Sequence, residues 1–178
     1  MTANKKTNNI FLRKPQFSDQ NEYLEKVLDS QQVLLPWIKI DPTEIYFKTY
    51  LLRLKRNNVG YFVCSKSNDE IIGVININEI VQGGFQSGYL GYYAFEGFQG
   101  KGFMKPGLTL VLKEAFQNIK LHRLEANIQP ENKASIFLVK SCGFNKEGFS
   151  PRYLKVNGRW RDHERWAIAT ENWKHNLN

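Results

Sequence analysis

Glycine marks where this chain can do chemistry. Eight of its 13 glycines lie between Gly83 and Gly107, and the densest stretch reads Glu96-Gly97-Phe98-Gln99-Gly100-Lys101-Gly102-Phe103-Met104. That stretch falls between a strand pattern and a helix pattern. Glycines in such a loop let the backbone bring its N–H groups close to a ligand. The helix that follows aims the positive end of its dipole at the same place. Loop and helix together suit a phosphate or pyrophosphate, with Lys101 or Lys105 adding charge at the rim; the competing reading is a tight turn with no ligand. Spacing separates the known phosphate loops. A P-loop needs Gly-Lys-Ser/Thr, whereas Lys101 is followed by Gly102 and Phe103. A Rossmann loop needs G-x-G-x-x-G in a parallel βαβ unit, whereas this one is G-x-x-G-x-G after what reads as an antiparallel meander. Kinase signatures are absent.

The chain around this loop has 178 residues, enough for one domain with its own core. Apolar residues make up 42% and charged residues 24%, which fits a soluble globular protein and excludes collagen, coiled coil and wholesale disorder. No window approaches the roughly 18 uncharged apolar residues of a membrane span. The opening MTANKKTNNI lacks the apolar core of a signal peptide. The expectation is a cytoplasmic protein with a polar tail over residues 1–9 and a single domain over 10–178. Cys64 and Cys142 make neither a disulfide framework nor a zinc site and read as reduced packing residues. Lys and Arg total 25 against 17 Asp and Glu, a net charge of +8. Such a surface attracts anions, whether nucleic acid, the ribosome or a phosphate-bearing cofactor; a merely solubilising charge fits as well.

The elements that must position the loop read as alternating strands and helices. Ile10–Arg13 is a short strand, and Ser18 reads as the N-cap of a helix carrying Tyr23, Leu24, Val27 and Leu28. Leu34–Ile38 is an apolar loop around Pro36. Asp41-Pro42-Thr43-Glu44 reads as a helix start with Pro42 first in the helix, continued by Phe47, Tyr50, Leu51 and Leu54. Val59–Ser65, Ile71–Ile80 and Gly88–Phe95 form a strand meander. Gly102–Ile119 is a helix, Arg123–Ile128 a strand, and Asn132–Cys142 a helix closed by Gly143. Phe144–Phe149 and Arg161–Thr170 are strands joined across the turn Asn157-Gly158.

With the other loops excluded, Gln99-x-x-Gly102-x-Met104 resembles the Q/R-x-x-G-x-G/A loop of the GNAT acetyltransferases, which holds the pyrophosphate of acetyl-CoA. The likeness spans residues 10–172. LGYYAFEGFQGKGFM is similar to the family's fourth strand running into its cofactor loop, and HRLEANIQPENKASIFLVKSCGF to its fifth strand and fourth helix. The tail YLKVNGRWRDHERWAI and the turn Pro36–Ile38 resemble the RimJ/RimL branch, and the tail most of all the RimJ-type ribosomal-protein-alanine N-acetyltransferases. The resemblance implies an α/β (α+β) GNAT fold: a mixed, mostly antiparallel sheet of about seven strands with helices on both faces. It implies an enzyme that uses acetyl-CoA as co-substrate, needs no metal, and acetylates the N-terminal alanine of a small-subunit ribosomal protein by direct attack of the amine. The ribosome would then be a partner. A membrane would not be, and direct nucleic-acid binding is not required. A polyamine or aminoglycoside acceptor, a non-catalytic ribosome- or RNA-binding module, and the choice between monomer and homodimer stay open.

Residue by residue, the resemblance assigns cofactor contacts to the backbone of Tyr92, Tyr93 and Ala94, to the loop Gln99, Gly100, Lys101, Gly102, Phe103, Met104 and Lys105, and to the Asn132 side chain, which also reads as a helix cap. A strand N–H there would stabilise the oxyanion of the transfer. Two positions depart from the family. Met104 stands where the loop has a small residue. Val139 stands where many members carry a tyrosine that protonates the departing thiolate, leaving Ser141, Cys142 or water for that role. A weak base suffices for an α-amine, whose pKa is about 7.7–8.0. The candidates are Glu79, Glu96 and the Asp162-His163 pair, each of which reads equally as a surface acid or strand ion pair. Trp37, Phe85 and Tyr153 are candidates for an acceptor pocket or for ordinary packing.

Overall fold

Apolar residues occur on both faces of the central strands, so the sheet they form has to be covered twice. Tyr61 and Val63 of one strand belong to one core, and Phe62 and Cys64 between them belong to the other. The computed structural model describes residues 9–175. Its strands are β1 (Ile10–Arg13), β2 (Val59–Ser65), β3 (Ile71–Val81), β4 (Ser87–Ala94), β5 (Arg123–Ile128), β6 (Asn145–Val156) and β7 (Arg159–Ala169). They make one seven-stranded sheet in the order β1-β2-β3-β4-β5-β7-β6. Every neighbouring pair is antiparallel except β4 and β5, which run parallel. The expected fold class, including helices on both faces, is the one observed.

The helices are α1 (Gln20–Asp29), α2 (Gln31–Leu34), α3 (Glu44–Arg53), α4 (Met104–Lys113), α5 (Lys133–Ser141) and α6 (Thr170–His175). Leu108, Val111 and Leu112 of α4, with Ile136 and Val139 of α5, cover one face of the sheet against Tyr61, Val63, Ile75 and Ile77. Tyr23 and Val27 of α1, with Phe47 and Tyr50 of α3, cover the other face against Phe62, Cys64, Ile71 and Val74. Gly107 lets α4 lie close on the sheet, because a Cβ there would come within 2.8 Å of Val63 Cγ2. Helix α5 ends in a Schellman turn: Gly143 takes φ +90°, and the N–H groups of Gly143 and Phe144 donate to the carbonyls of Lys140 and Val139.

Several boundaries differ from the sequence reading. Ser18 does not cap α1; it lies in a 3-10 turn over Phe17–Asp19, where Gln16 and Asp19 form the capping box. The cap of α3 is Thr43, whose Oγ1 accepts from the Tyr46 N–H, so Asp41 and Pro42 lie outside the helix. Gly102–Ile119 is not one α-helix: α4 stops at Lys113 and Glu114–Asn118 widen into a π turn, where Phe116 packs 5.4 Å from the ring of Trp173. The final hairpin strands are longer than expected, and α6 follows them where a strand end was expected. The polar tail falls almost wholly outside the described residues. Among the described residues no helix is long and apolar enough to cross a membrane, and both cysteines are free.

Candidate active site

The parallel pair is short. β4 and β5 register only through Ser87–Arg123, Gly88–Leu124 and Tyr89–Glu125, then part. Which backbone groups face the gap follows from strand alternation. Phe95 donates its N–H to the Ile72 carbonyl at 3.0 Å, so the odd residues of β4 bond to β3. On the other side, the Gln86 carbonyl accepts from His122 and Arg123. Both observations give one parity: Leu90, Tyr92 and Ala94 turn N–H and C=O into the gap. The Tyr92 and Ala94 amides therefore face the gap. Tyr93 also lines the cleft, but its amide lies on the β3 side opposite Val74. Its hydroxyl instead bonds Tyr23 at 2.9 Å. The gap opens into a cleft of about 990 Å³.

At one end of the cleft stands the glycine loop. Gly97, Gly100 and Gly102 take φ of +79°, +69° and +82°, the left-handed region that favours glycine. The first intrahelical bond of α4 runs from Gly107 to Phe103, and Pro106 has no N–H to give. The amides of Phe103, Met104 and Lys105 are thus left for a ligand at the positive end of a ten-residue helix. Gln99 braces the loop by donating from Nε2 to the Ala94 carbonyl at 3.1 Å. Gln99, Gly100, Gly102, Phe103, Met104 and Lys105 all line the cleft, whereas Lys101 does not, its amide reaching back to Phe98. The departure at Met104 has a structural partner. Its Sδ lies where a Cβ on Gly73 would be 2.9 Å away, so the missing side chain on β3 makes room for the sulfur.

Helix α5 forms a wall. Asn132 caps it, accepting the Ser135 N–H on Oδ1 at 3.1 Å, and also lines the cleft. Ser135, Leu138 and Ser141 face the cleft; Val139 is wholly buried. The Tyr92 hydroxyl reaches Ser135 Oγ at 2.6 Å, and burial holds that phenol well above its usual pKa. The Ser141 hydroxyl donates to the Leu138 carbonyl at 2.8 Å. Burial also pushes the Cys142 thiol up, keeping it protonated.

Trp37 and His163 also line the cleft. The turn carrying Trp37 is held from two sides, by Gln129 Nε2 on the Pro36 carbonyl and by Asn157 Nδ2, at the hairpin tip, on the Leu35 carbonyl. His163 is 4% exposed. Its Nδ1 lies 3.0 Å from the Arg161 carbonyl, which can only accept, so Nδ1 carries the proton and Nε2 keeps its lone pair. Burial lowers its pKa below the ordinary 6.5, so the ring is neutral at pH 7.

Other expected residues fall elsewhere. Asp162 points away from His163, since neighbours on a strand face opposite ways; it accepts the Arg152 N–H at 2.7 Å, and only its charge reaches the ring. Glu79 is exposed at a β3 bulge with φ +51° and does not line the cleft, although its charge reaches Tyr89. Glu96 and Phe85 are exposed outside the cleft. Tyr153 does not line the cleft; its ring lies tilted 59° against that of His163, with centroids 5.8 Å apart. Sequence reasoning missed Ser135, Asn127 and Gln129. Asn127 carried no signal of its own, since it continues the polar register of Arg123 and Glu125 in the alternation of β5.

Residues 9–145 match the family model described as an acetyltransferase (GNAT) domain. The [ribosomal protein uS5]-alanine N-acetyltransferase of Escherichia coli is 35% identical over 154 residues, covering 82% of this chain and 79% of that protein. The probable N-acetyltransferase YjcK of Bacillus subtilis is 36% identical over 120 residues, 67% of this chain and 66% of that protein. RimJ of Mycobacterium smegmatis, solved in complex with CoA-disulfide, superposes with a TM-score of 0.84 at 26% identity, covering 94% of this chain and 87% of that one. With a family match over most of its length, and with a glycine loop and parted strands that fit a nucleotide thioester, the chain belongs to the GNAT family of acetyl-CoA-dependent acetyltransferases.

Proposed function

We propose that this chain transfers the acetyl group of acetyl-CoA to the N-terminal alanine of a small-subunit ribosomal protein in the cytoplasm. The observation that carries the reading is His163, a neutral imidazole with Nε2 free to accept, set in a cleft that among the described residues has no carboxylate lining it. The likeness to the uS5-alanine enzyme supports the same acceptor. An α-amine has pKa about 7.7–8.0 and a lysine amine about 10.4, so only the first is substantially neutral without a strong base. A polyamine acceptor is disfavoured, since Lys39, Lys105 and Lys155 line the cleft.

In this reading the first-turn amides of α4 hold the pyrophosphate, and Asn132 Nδ2 and the N–H groups of Tyr92 and Ala94 hold the pantetheine arm. Acetyl-CoA bound there supplies an activated thioester carbonyl for direct attack by an amine. A strand amide stabilises the charge growing on the acetyl oxygen. His163 Nε2 takes the proton that the amine sheds. The paired hydroxyls of Tyr92 and Ser135 lie one helical turn from Val139, on the same side of α5, and supply the proton that the family's tyrosine would give. A thiol with pKa about 8.5 leaves readily, so that proton contributes little.

The test uses two peptides of one sequence that starts with alanine and contains one lysine. One is formylated at its N-terminus, and the other has its lysine replaced by arginine. Incubation with acetyl-CoA is expected to acetylate only the peptide with the free N-terminus, read by mass spectrometry. Efficient acetylation of the blocked, lysine-bearing peptide would overturn the α-amine assignment.

A further inference from the structure

We infer that the Asn127 side chain is the anchor for the acceptor amine: its Oδ1 receives one N–H of the incoming primary amine. The inference rests on the acetyl-transfer reading above and names a residue that the reading does not use. Three observations meet at this position. Asn127 comes two residues after Glu125, the last residue of β5 to register with β4, so it stands where the strands begin to part. Its side chain lies on the face of the sheet opposite Ala126 and Ile128, which pack under α4 and α5. Helices α4 and α5 lie over the first face, while α1 and α3 lie on the other face over β2 and β3, so an amine reaching the gap on the side away from α4 and α5 meets Asn127's face. Finally, Oδ1 is buried without a hydrogen-bond partner among the described residues.

A buried carbonyl oxygen without a donor is costly, and a hydrogen received from a ligand is one way to satisfy it; of the three such atoms among the described residues, Gln20 Oε1, Ser87 Oγ and Asn127 Oδ1, only that of Asn127 belongs to a residue lining the cleft. The neighbours leave it free. Arg165 registers directly opposite Asn127, but its guanidinium lies over Gly148, where a Cβ would meet it at 2.5 Å. Arg123 spends its Nε on Glu125 at 2.8 Å. The next residue of β7 on the same face is His163, a diagonal neighbour about 7–8 Å away between Cα atoms. Two acceptors, Oδ1 of Asn127 and Nε2 of His163, thus flank one spot in the cleft. A primary amine fits them: one N–H is held by Asn127 while the proton lost on attack passes to His163. The acetyl carbonyl and the thioester sulfur offer no N–H, so Oδ1 does not serve the reacting end of the cofactor.

The test measures steady-state kinetics of the wild type, Asn127→Ala and Asn127→Asp. The amine is whichever the wild type acetylates fastest among an alanine-starting peptide, a blocked lysine-bearing peptide and spermidine. A wrong acceptor class under the preceding reading therefore shows in the panel itself and leaves this measurement intact. Asn127→Ala is expected to raise the KM for the amine by about three- to tenfold, the net worth of one hydrogen bond, with acetyl-CoA affinity unchanged in a thermal-shift titration. Asn127→Asp keeps the shape and adds a charge that favours the protonated amine, so the acid limb of kcat moves to higher pH. A residue serving only the fold would lower rates without moving that limb. An unchanged amine KM, or an equal loss of acetyl-CoA affinity that would hand Oδ1 to the pantetheine arm, overturns the inference.

Discussion

His163→Asn separates the two nitrogens of the proposed base. The asparagine amide can still donate to the Arg161 carbonyl, which Nδ1 reaches at 3.0 Å, while the Nε2 lone pair is removed. The α-amine acceptor is already about 9–17% neutral at pH 7, given its pKa of about 7.7–8.0. The imidazole is needed only to collect a proton, so its contribution belongs at the low end of general-base effects, about 100-fold or roughly 2.7 kcal/mol. The pH profile carries the sharper test. In the wild type, kcat/KM should rise with the neutral fraction of both His163 and the amine, giving an acid limb of slope two below the His163 pKa and slope one above it. The variant should keep only the amine's slope. Stability gives a check free of substrate. Burial depresses the folded pKa of His163 below its unfolded 6.5, so below that value the unfolded chain binds more protons. The stability His163 contributes is then full above about pH 6.5 and is lost as pH falls through the folded pKa. The difference in Tm between pH 7.5 and pH 5 should be smaller in the variant. A variant with wild-type kcat/KM and an unchanged acid limb would refute the base assignment.

Three other outcomes test the cofactor end. A valine at Gly102, where φ is +82°, is strained and blocks backbone approach to a pyrophosphate. At acetyl-CoA about 100 times its Kd the wild type should gain roughly 2.7 kcal/mol, or about 5–10 °C in Tm, and Gly102→Val should lose most of that gain in differential scanning fluorimetry. Gly73→Ala places a Cβ 2.5 Å from the Tyr93 carbonyl oxygen and 2.9 Å from Met104 Sδ. It should cost about 1–3 kcal/mol by urea unfolding, and adding Met104→Ala should recover only part, since the carbonyl cannot swing aside; full recovery would contradict the packing described. Gln99→Ala unties the loop from Ala94 and should weaken acetyl-CoA by about three- to tenfold in calorimetry, the worth of one hydrogen bond.

What could be read from the chain, and what could not, divides along a physical line. The meander, β5 and α5 were legible because their signals are local: alternation, β-branched content, and Gly143 closing a helix with a left-handed residue. The glycine loop was legible for the same reason, since positive φ and close backbone approach are written in residue type. The end of α4 was not, because the π turn at Glu114–Asn118 follows from seating Phe116 against Trp173, which is 57 positions along the chain. The cap of α3 went to Thr43 and not Asp41 for want of a propensity difference: both side chains cap well, and the chain path chooses. At the site, the direction of the Tyr93 amide was not legible, because it depends on which residue opens the ladder. The Phe95 bond to Ile72 fixes that parity, and no composition reports it.

In the function proposed above, the proton that a tyrosine at position 139 would give comes from one turn earlier on the same helix. A side chain at 139 and one at 135 share a face of α5. Ser135 is too short to bring a hydroxyl across the cleft, and Tyr92 comes from the strand opposite to meet it at 2.6 Å. Their parity is what permits this. Tyr92 is an even residue of β4, so its backbone faces the gap while its side chain lies on the α4–α5 side, packed against that core. One residue thus offers an amide to the gap and a phenol to the helix wall. Ser141 competes poorly for the same work, because its proton is directed to the Leu138 carbonyl. Cys142, raised in pKa by burial, stays a thiol and lies off the cleft lining. Position 139 carries no phenol, and the sheet geometry sets the Tyr92 phenol against Ser135 instead.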